Sequence, residues 1–232
     1  YCRDAARTRR MDRLNALFVP EGGLAFDIGA HVGDRTGSFL RLGARVVALE
    51  PQPRVFRALR LIHGRNEKAT LLAQAAGSKA GMLELFLNTG NPTVSTASSA
   101  LMEAAPASPL WQGQEWDARV RVPVTTLDRL IAAHGIPDFV KIDVEGFEAE
   151  VLAGLSQPLP TLSFEFTTLQ REVGAACLDR LEALGRYVFN LSLGEEHRLR
   201  IDPWVTGAAM CDLLRELPDE ANSGDVYARR IG

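Results

Sequence analysis

Cysteine is scarce in this chain of 232 residues: Cys2, Cys177 and Cys211 are odd in number, far apart and in no C-x-x-C pair. Neither a disulfide framework nor a zinc site is indicated, and a reducing, cytoplasmic compartment is expected. An excess of positive charge is also missing. The formal charge of −3, from 26 Lys and Arg against 29 Asp and Glu, argues against phosphate-backbone binding as the main activity, so nucleic acid is not an expected partner. No apolar run approaches the roughly 20 residues that cross a bilayer, and the N-terminus shows no signal-peptide core, so no membrane partner is expected either. The chain opens on Tyr1 rather than Met, which leaves open a longer native chain with a targeting segment of its own.

What is present, 46% hydrophobic and 24% charged residues, is the composition of a globular protein long enough for one well-buried α/β domain. The expected organisation is an N-terminal helix over residues 1–20 packing on the core and one domain over 21–232. That domain carries an irregular, lid-like insertion at 88–118 and a second insertion at 192–224. The arginine-rich start (Arg3, Arg7, Arg9, Arg10, Arg13) reads as a solvated helix face rather than a membrane or RNA contact.

Residues 24–33, Leu-Ala-Phe-Asp-Ile-Gly-Ala-His-Val-Gly, predict a strand, a tight turn and a helix start, an arrangement that lets backbone approach a nucleotide-like ligand. The apolar run at 44–49 ends in Glu50, about 20 residues beyond Gly29, where dinucleotide-type folds place the carboxylate for ribose hydroxyls. Residues 69–76 read as a third strand, 82–87 as an alternating edge strand, 127–134 as a helix and 139–143 as a central strand. Strands alternating with helices predict a mostly parallel sheet covered on both faces. Polar side chains collect at its strand ends: Asp27, Glu50, Lys141, Asp143 and Glu165. Alternation puts Lys141 and Asp143 on one face. The turn lacks the middle glycine of a pyrophosphate-binding fingerprint, and an acid two residues before Gly29 suits a cationic or polar ligand better than a diphosphate.

The runs Phe26-Asp27-Ile28-Gly29-Ala30-x-x-Gly33-x-x-Thr36, Glu50-Pro51-x-Pro53, Val124 to Asp128, and Lys141-Ile142-Asp143-Val144-Glu145-Gly146-x-Glu148 resemble the FkbM family of S-adenosylmethionine-dependent methyltransferases. The resemblance covers about residues 20–170. It implies a class I methyltransferase fold, a Rossmann-like three-layer α/β/α sandwich whose mostly parallel seven-stranded sheet has an antiparallel last strand. The implied activity is O-methylation of a hydroxyl on a sugar, polyketide or similar small molecule. His31 departs from the family pattern, which more often has Asn there.

On that resemblance Asp27, Gly29, Ala30, Gly33 and Thr36 surround the methionine portion of the cofactor, Glu50 and Pro51 face its ribose, and Gln74 and Ala75 line the adenine. Asp143 faces cofactor and acceptor together, with Asp143 or Glu145 as general base and Lys141, Glu165 and His31 as further catalytic candidates. Lys141, Asp143 and Glu165 also suit a buried ion-pair network. A divalent ion on Asp143, Glu145 and Glu165 is the lesser alternative, and no metal is expected. Ser95, Thr96, Ser98 and Ser99 suit either a substrate cap or a plain loop. Trp111 and Trp116 suit stacking on an acceptor or burial under the loop. Two other functions fit the pattern less well: an NAD-dependent oxidoreductase, and a cofactor-binding scaffold without catalysis.

Overall fold

Apolar residues alternate along the central strands in two sets, and each set meets its own layer of helices. The computed structural model describes residues 4–232; Cys2 and Arg3 lie outside the described residues. In chain order the strands are β1 (Leu24–Ile28), β2 (Arg45–Leu49), β3 (Ala69–Leu72), β4 (Ala75–Ala76), β5 (Gly81–Leu87), β6 (Ala118–Thr125), β7 (Phe139–Ile142), β8 (Thr161–Thr167), β9 (Tyr187–Leu193) and β10 (Ser223–Arg230). The helices are α1 (Ala5–Asn15), α2 (Asp34–Arg41), α3 (Pro53–His63), α4 (Ser99–Ala104), α5 (Leu127–His134), α6 (Glu148–Ala153), α7 (Arg171–Leu184) and α8 (Gly207–Glu216).

Seven strands form one sheet in the order β3-β2-β1-β7-β8-β10-β9. All neighbours are parallel except β10, which runs antiparallel to β8 and β9. Phe26, Ile28, Val47, Leu49, Val140 and Ile142 pack with Leu130 of α5, Leu152 of α6, Leu178 of α7 and Met210 of α8. The opposite parity, Ala25, Val46, Ala48 and Phe139, packs with Leu14 of α1, Phe39 of α2 and Leu59 of α3. This is the expected three-layer sandwich. Chain order reverses direction between β1 and β7, and at such a switch point the two loops diverge and leave a crevice beyond the strand ends.

Local sequence also explains the helix starts. Asp4 accepts hydrogen bonds from the backbone of Ala6 and Arg7, and Thr126 and Thr206 cap α5 and α8 in the same way, satisfying N–H groups that have no partner within the helix. Among the described residues no helix is long and apolar enough to cross a membrane.

One expectation is corrected, and the edge strand at 82–87 is placed in a separate small sheet. The run 69–76 is not one strand: β3 joins the main sheet, the chain breaks at Ala73 and Gln74, and β4 pairs with β6 in a separate three-stranded sheet ordered β4-β6-β5. The alternating run 82–87 borders that small sheet, because it zips antiparallel with β6 from Gly81 opposite Val124 to Leu87 opposite Ala118. The long segment between β5 and β6 carries α4 and two turns of 3-10 helix. Leu101, Ala105 and Trp111 form its own small buried cluster, with Trp111 donating to the side chain of Asn222 and Trp116 to the carbonyl of Val94. Both indoles are thus used in packing the segment.

Candidate functional site

The glycine turn after β1 is shaped by what it touches. Gly29 and Ala30 both donate their backbone N–H to the carbonyl of Leu49, at 3.0 and 2.8 Å, which ties the turn to the end of β2. Gly29 has φ +84, and a Cβ there would fall 1.7 Å from the carbonyl oxygen of Asp143. Only glycine lets the β1 and β7 loops approach this closely. His31 follows with φ 50, and its backbone N–H donates to Oε2 of Glu50 at 2.9 Å while Oε1 accepts from the N–H of Gln52 at 2.7 Å. Burial pushes the Glu50 carboxyl up to about 7.

The stretch 141–148 forms the opposite wall. Lys141, 1% exposed, places its ammonium 2.6 Å from Asp225 and 3.0 Å from Asp143. Burial works against that charge, but the two carboxylates hold the lysine pKa above its ordinary value. Burial raises Asp143 in turn, yet Lys141, hydrogen bonding to Glu165, and Arg35 hold its carboxyl below the usual range. Glu145 and Glu165 go the other way, pushed well above the ordinary value by burial and by the charge of Asp143. One carboxylate oxygen each of Asp143, Glu145 and Glu165 lies within 4.8 Å of the others, and Oε2 of Glu165 is buried without a hydrogen-bond partner. Glu145 and Gly146 sit at φ 54 and 86. The non-glycine residue in this left-handed region is held by two neighbours: Thr96 donates to its carbonyl at 2.6 Å, and buried Glu148 accepts from the N–H of Val144 and of Gly146.

These walls enclose a cleft of about 280 Å³. Of the residues singled out from sequence, Gly29, Ala30, His31, Glu50, Pro51, Gln74, Ala75, Asp143, Glu145 and Glu165 line it. Asp27, Gly33, Thr36 and Lys141 do not reach it. Asp27 is 1% exposed and accepts from the hydroxyl of buried Thr36 at 2.6 Å, which fastens the start of α2 to β1. Gly33 precedes α2 at φ 94, and its carbonyl lies 3.0 Å from the His63 ring. Lys141 acts on the cleft through Asp143. Burial lowers the pKa of His31. The roof comes from the small sheet and the long insertion, through Leu83, Leu85, Thr93, Ser95 and Ala97. Several lining residues had no site signal in sequence, among them Arg35, Leu83, Leu85 and two from distant segments: Arg7, read only as part of a solvated basic run, and Glu195, in a polar turn after β9.

Buried carboxyls make this fold sensitive to pH. Burial pushes Asp27 up to about 6 and Glu148 up to about 7, as it does Glu50. Between the ordinary carboxylate range and those values the folded chain binds more protons than the unfolded one, so stability falls as pH rises through that window. Asp12, Asp143 and Glu195, held low, contribute in full above their unfolded values and do not change there. The unfolding free energy from urea titration is expected to be larger at about pH 5 than at about pH 8. His31 and His63, whose pKa values burial lowers, work in the opposite direction over the same range, so a flat or rising profile would mean that these carboxyls are already ionised in the fold or that the two histidines outweigh them.

The charge inventory of the cleft decides what it can hold. The carboxyl groups of Asp34, Glu50, Asp143, Glu145, Glu165 and Glu195 face it against the guanidiniums of Arg7 and Arg35, and even with Glu145 and Glu165 protonated the acids outnumber the cations. Such a lining opposes a diphosphate and suits a ligand with a sulfonium, an ammonium and a ribose, brought against a bare glycine turn.

The comparisons agree. A family model of the methyltransferase FkbM domain matches residues 27–197. Among curated proteins no sequence matches the chain. The fold is similar to that of a precorrin-6y C5,15-methyltransferase from Geobacter metallireducens GS-15, at 14% identity and a TM-score of 0.50 over 100% of this chain and 90% of that one. It is also similar to Aeropyrum pernix fibrillarin in complex with natively bound S-adenosyl-L-methionine, at 12% identity and a TM-score of 0.50 over 97% of this chain and 73% of that one. At these identities the likeness is one of fold. The family match covers well over half of the chain and both halves of the cleft, and the dehydrogenase alternative falls with it. The chain belongs to the FkbM methyltransferase family and is an S-adenosylmethionine-dependent methyltransferase.

Proposed function

We propose that this protein methylates a hydroxyl oxygen of a small molecule held under the roof formed by the β5–β6 hairpin and the insertion at 88–118. The observation that carries this reading is the carboxyl cluster of Asp143, Glu145 and Glu165, in which two members hold protons more tightly than ordinary carboxyls and the third is kept ionised by Lys141. A hydroxyl must lose its proton as it reacts, and a carboxylate with raised proton affinity is a stronger base for that purpose. A neutral amine attacks through a lone pair it already has and needs the cluster less.

Roles then follow from position. When bound, S-adenosylmethionine supplies an electrophilic methyl group on a positively charged sulfur. Gly29 and Ala30 bring backbone against its methionine portion, Glu50 faces the ribose hydroxyls, and Gln74 and Ala75 flank the adenine. Asp143, ionised and 35% exposed, stabilises positive charge in the cleft. That charge favours ionisation of Glu145 and Glu165, which prepares Glu145 to accept the hydroxyl proton. Leu83, Leu85 and Phe147 give the acceptor an apolar wall, and Thr93 and Ser95 give it hydrogen-bonding groups.

The test is transfer of isotopically labelled methyl from the cofactor to a panel of sugar and polyketide alcohols and of matched primary amines, run in EDTA. Label is expected in an ether, with the chelator without effect. Label in an amine or in protein would overturn the acceptor assignment, and loss of transfer in EDTA restored by magnesium would turn the carboxyl cluster into a metal site.

A further inference from the structure

We propose that Arg7 grips the α-carboxylate of S-adenosylmethionine while Asp34 and Glu195 receive its α-ammonium, so that the first helix completes the amino-acid end of the cofactor site. This rests on the cofactor assignment and goes beyond it in naming the groups that read the tail.

Arg7 projects from the first turns of α1 into the cleft and lines it together with Gly29, Ala30, His31 and Asp34. Its Nε and Nη2 meet Oε2 of Glu195 at 2.9 and 2.5 Å, and its Nη1 meets Oδ2 of Asp34 at 3.1 Å. One guanidinium thus stands between two carboxylates beside the turn that faces the methionine portion. A zwitterionic amino-acid tail carries the same pattern of charges. Inserted there, its carboxylate takes part of the guanidinium fork and its ammonium takes the carboxylates so released, and no charge is left without a partner.

The other cations near the cleft are committed. Arg35 is 3.1 Å from Asp225 and 3.0 Å from Nδ1 of His197, with its side chain 16% exposed. The Lys141 side chain is 2% exposed and saturated by two acids. Among the described residues lining the cleft, Arg7, at 32%, is the guanidinium with room to exchange partners, and Arg suits a carboxylate because its planar fork matches the two oxygens.

The attachment of α1 does not depend on this side chain. Met11 and Leu14 are buried, Asn15 donates to Ser38 at 2.9 Å, and Arg41 pairs with Asp12. Arg7 variants are therefore expected to fold, with an unchanged melting temperature as the control.

The measurement is calorimetric binding of S-adenosylhomocysteine and of 5′-methylthioadenosine, which has the same adenine, ribose and thioether but no amino-acid tail. For Arg7→Ala the first ligand is expected to weaken by about tenfold to a hundredfold and the second to stay within about twofold. Arg7→Lys should recover part of the loss. Equal weakening of both ligands, or no weakening of the first, would overturn the proposal. So would equal affinity of the native protein for both ligands, a result that leaves the cofactor assignment standing. Binding of neither ligand by the native protein would overturn the cofactor assignment as well.

Discussion

Glu145→Gln is expected to lower kcat by about 10²- to 10⁴-fold, the range carried by a positioned acid–base group. The substitution keeps the size and shape of the side chain. The left-handed backbone at residue 145 is retained, because Thr96 and Glu148 hold that loop through its carbonyl and its neighbours' N–H groups rather than through the carboxylate. What is lost is the ability to take a proton. Cofactor affinity is expected to fall only modestly, since Asp143 remains to oppose the sulfonium. In the native enzyme the acid limb of the rate profile should lie above the range of an ordinary glutamate, because burial and the Asp143 charge raise the proton affinity of Glu145. In Glu145→Gln that limb should disappear. Single-turnover rates with saturating cofactor separate these effects. An unchanged kcat would move the proton acceptor to Glu165, which shares the carboxyl cluster and has a buried oxygen without a hydrogen-bond partner.

Lys141→Met is expected to cost about 3 kcal/mol of folding stability, the low end for breaking a buried ion pair by removing one partner. Asp225 is 5% exposed as a residue, and the ammonium is its nearest cation at 2.6 Å. Its other oxygen keeps Arg35 at 3.1 Å, which is why the loss is placed at the low end. Asp143 opens on the cleft and can turn to water. Urea titration should show a lower midpoint with an unchanged slope, and Lys141→Met combined with Asp225→Asn should regain part of the loss, because the orphaned charge is then gone. A loss below about 1 kcal/mol would mean that the cluster relaxes around the missing charge. The same variant should raise the proton affinity of Asp143, so that cofactor binding at neutral pH weakens through a residue that does not reach the cleft.

Much of the site was legible because its parts are local. Gly29, Glu50 and Asp143 each follow a short apolar run, and in a parallel sheet a residue just after such a run falls at the carboxyl edge whatever the rest of the chain does. Lys141 illustrates the limit of the same logic. Its strand and its parity are read from alternation, but whether a polar side chain at that position points along the sheet or into the cleft depends on Asp225, brought alongside by the antiparallel β10. The split of 69–76 was equally hidden, because β4 is defined by its partner β6, some 50 residues away.

By itself, the sequence determined the layered α/β fold, the order of its main elements and the edge of the sheet where the cleft lies, since hydrophobic period and glycine placement act over a few residues. Only the tertiary structure decided that Lys141 is sealed in an ion pair, that a separate small sheet roofs the cleft, and that Arg7 meets Glu195, 188 residues away. Those are contacts between distant segments, and their geometry follows from packing rather than from local pattern.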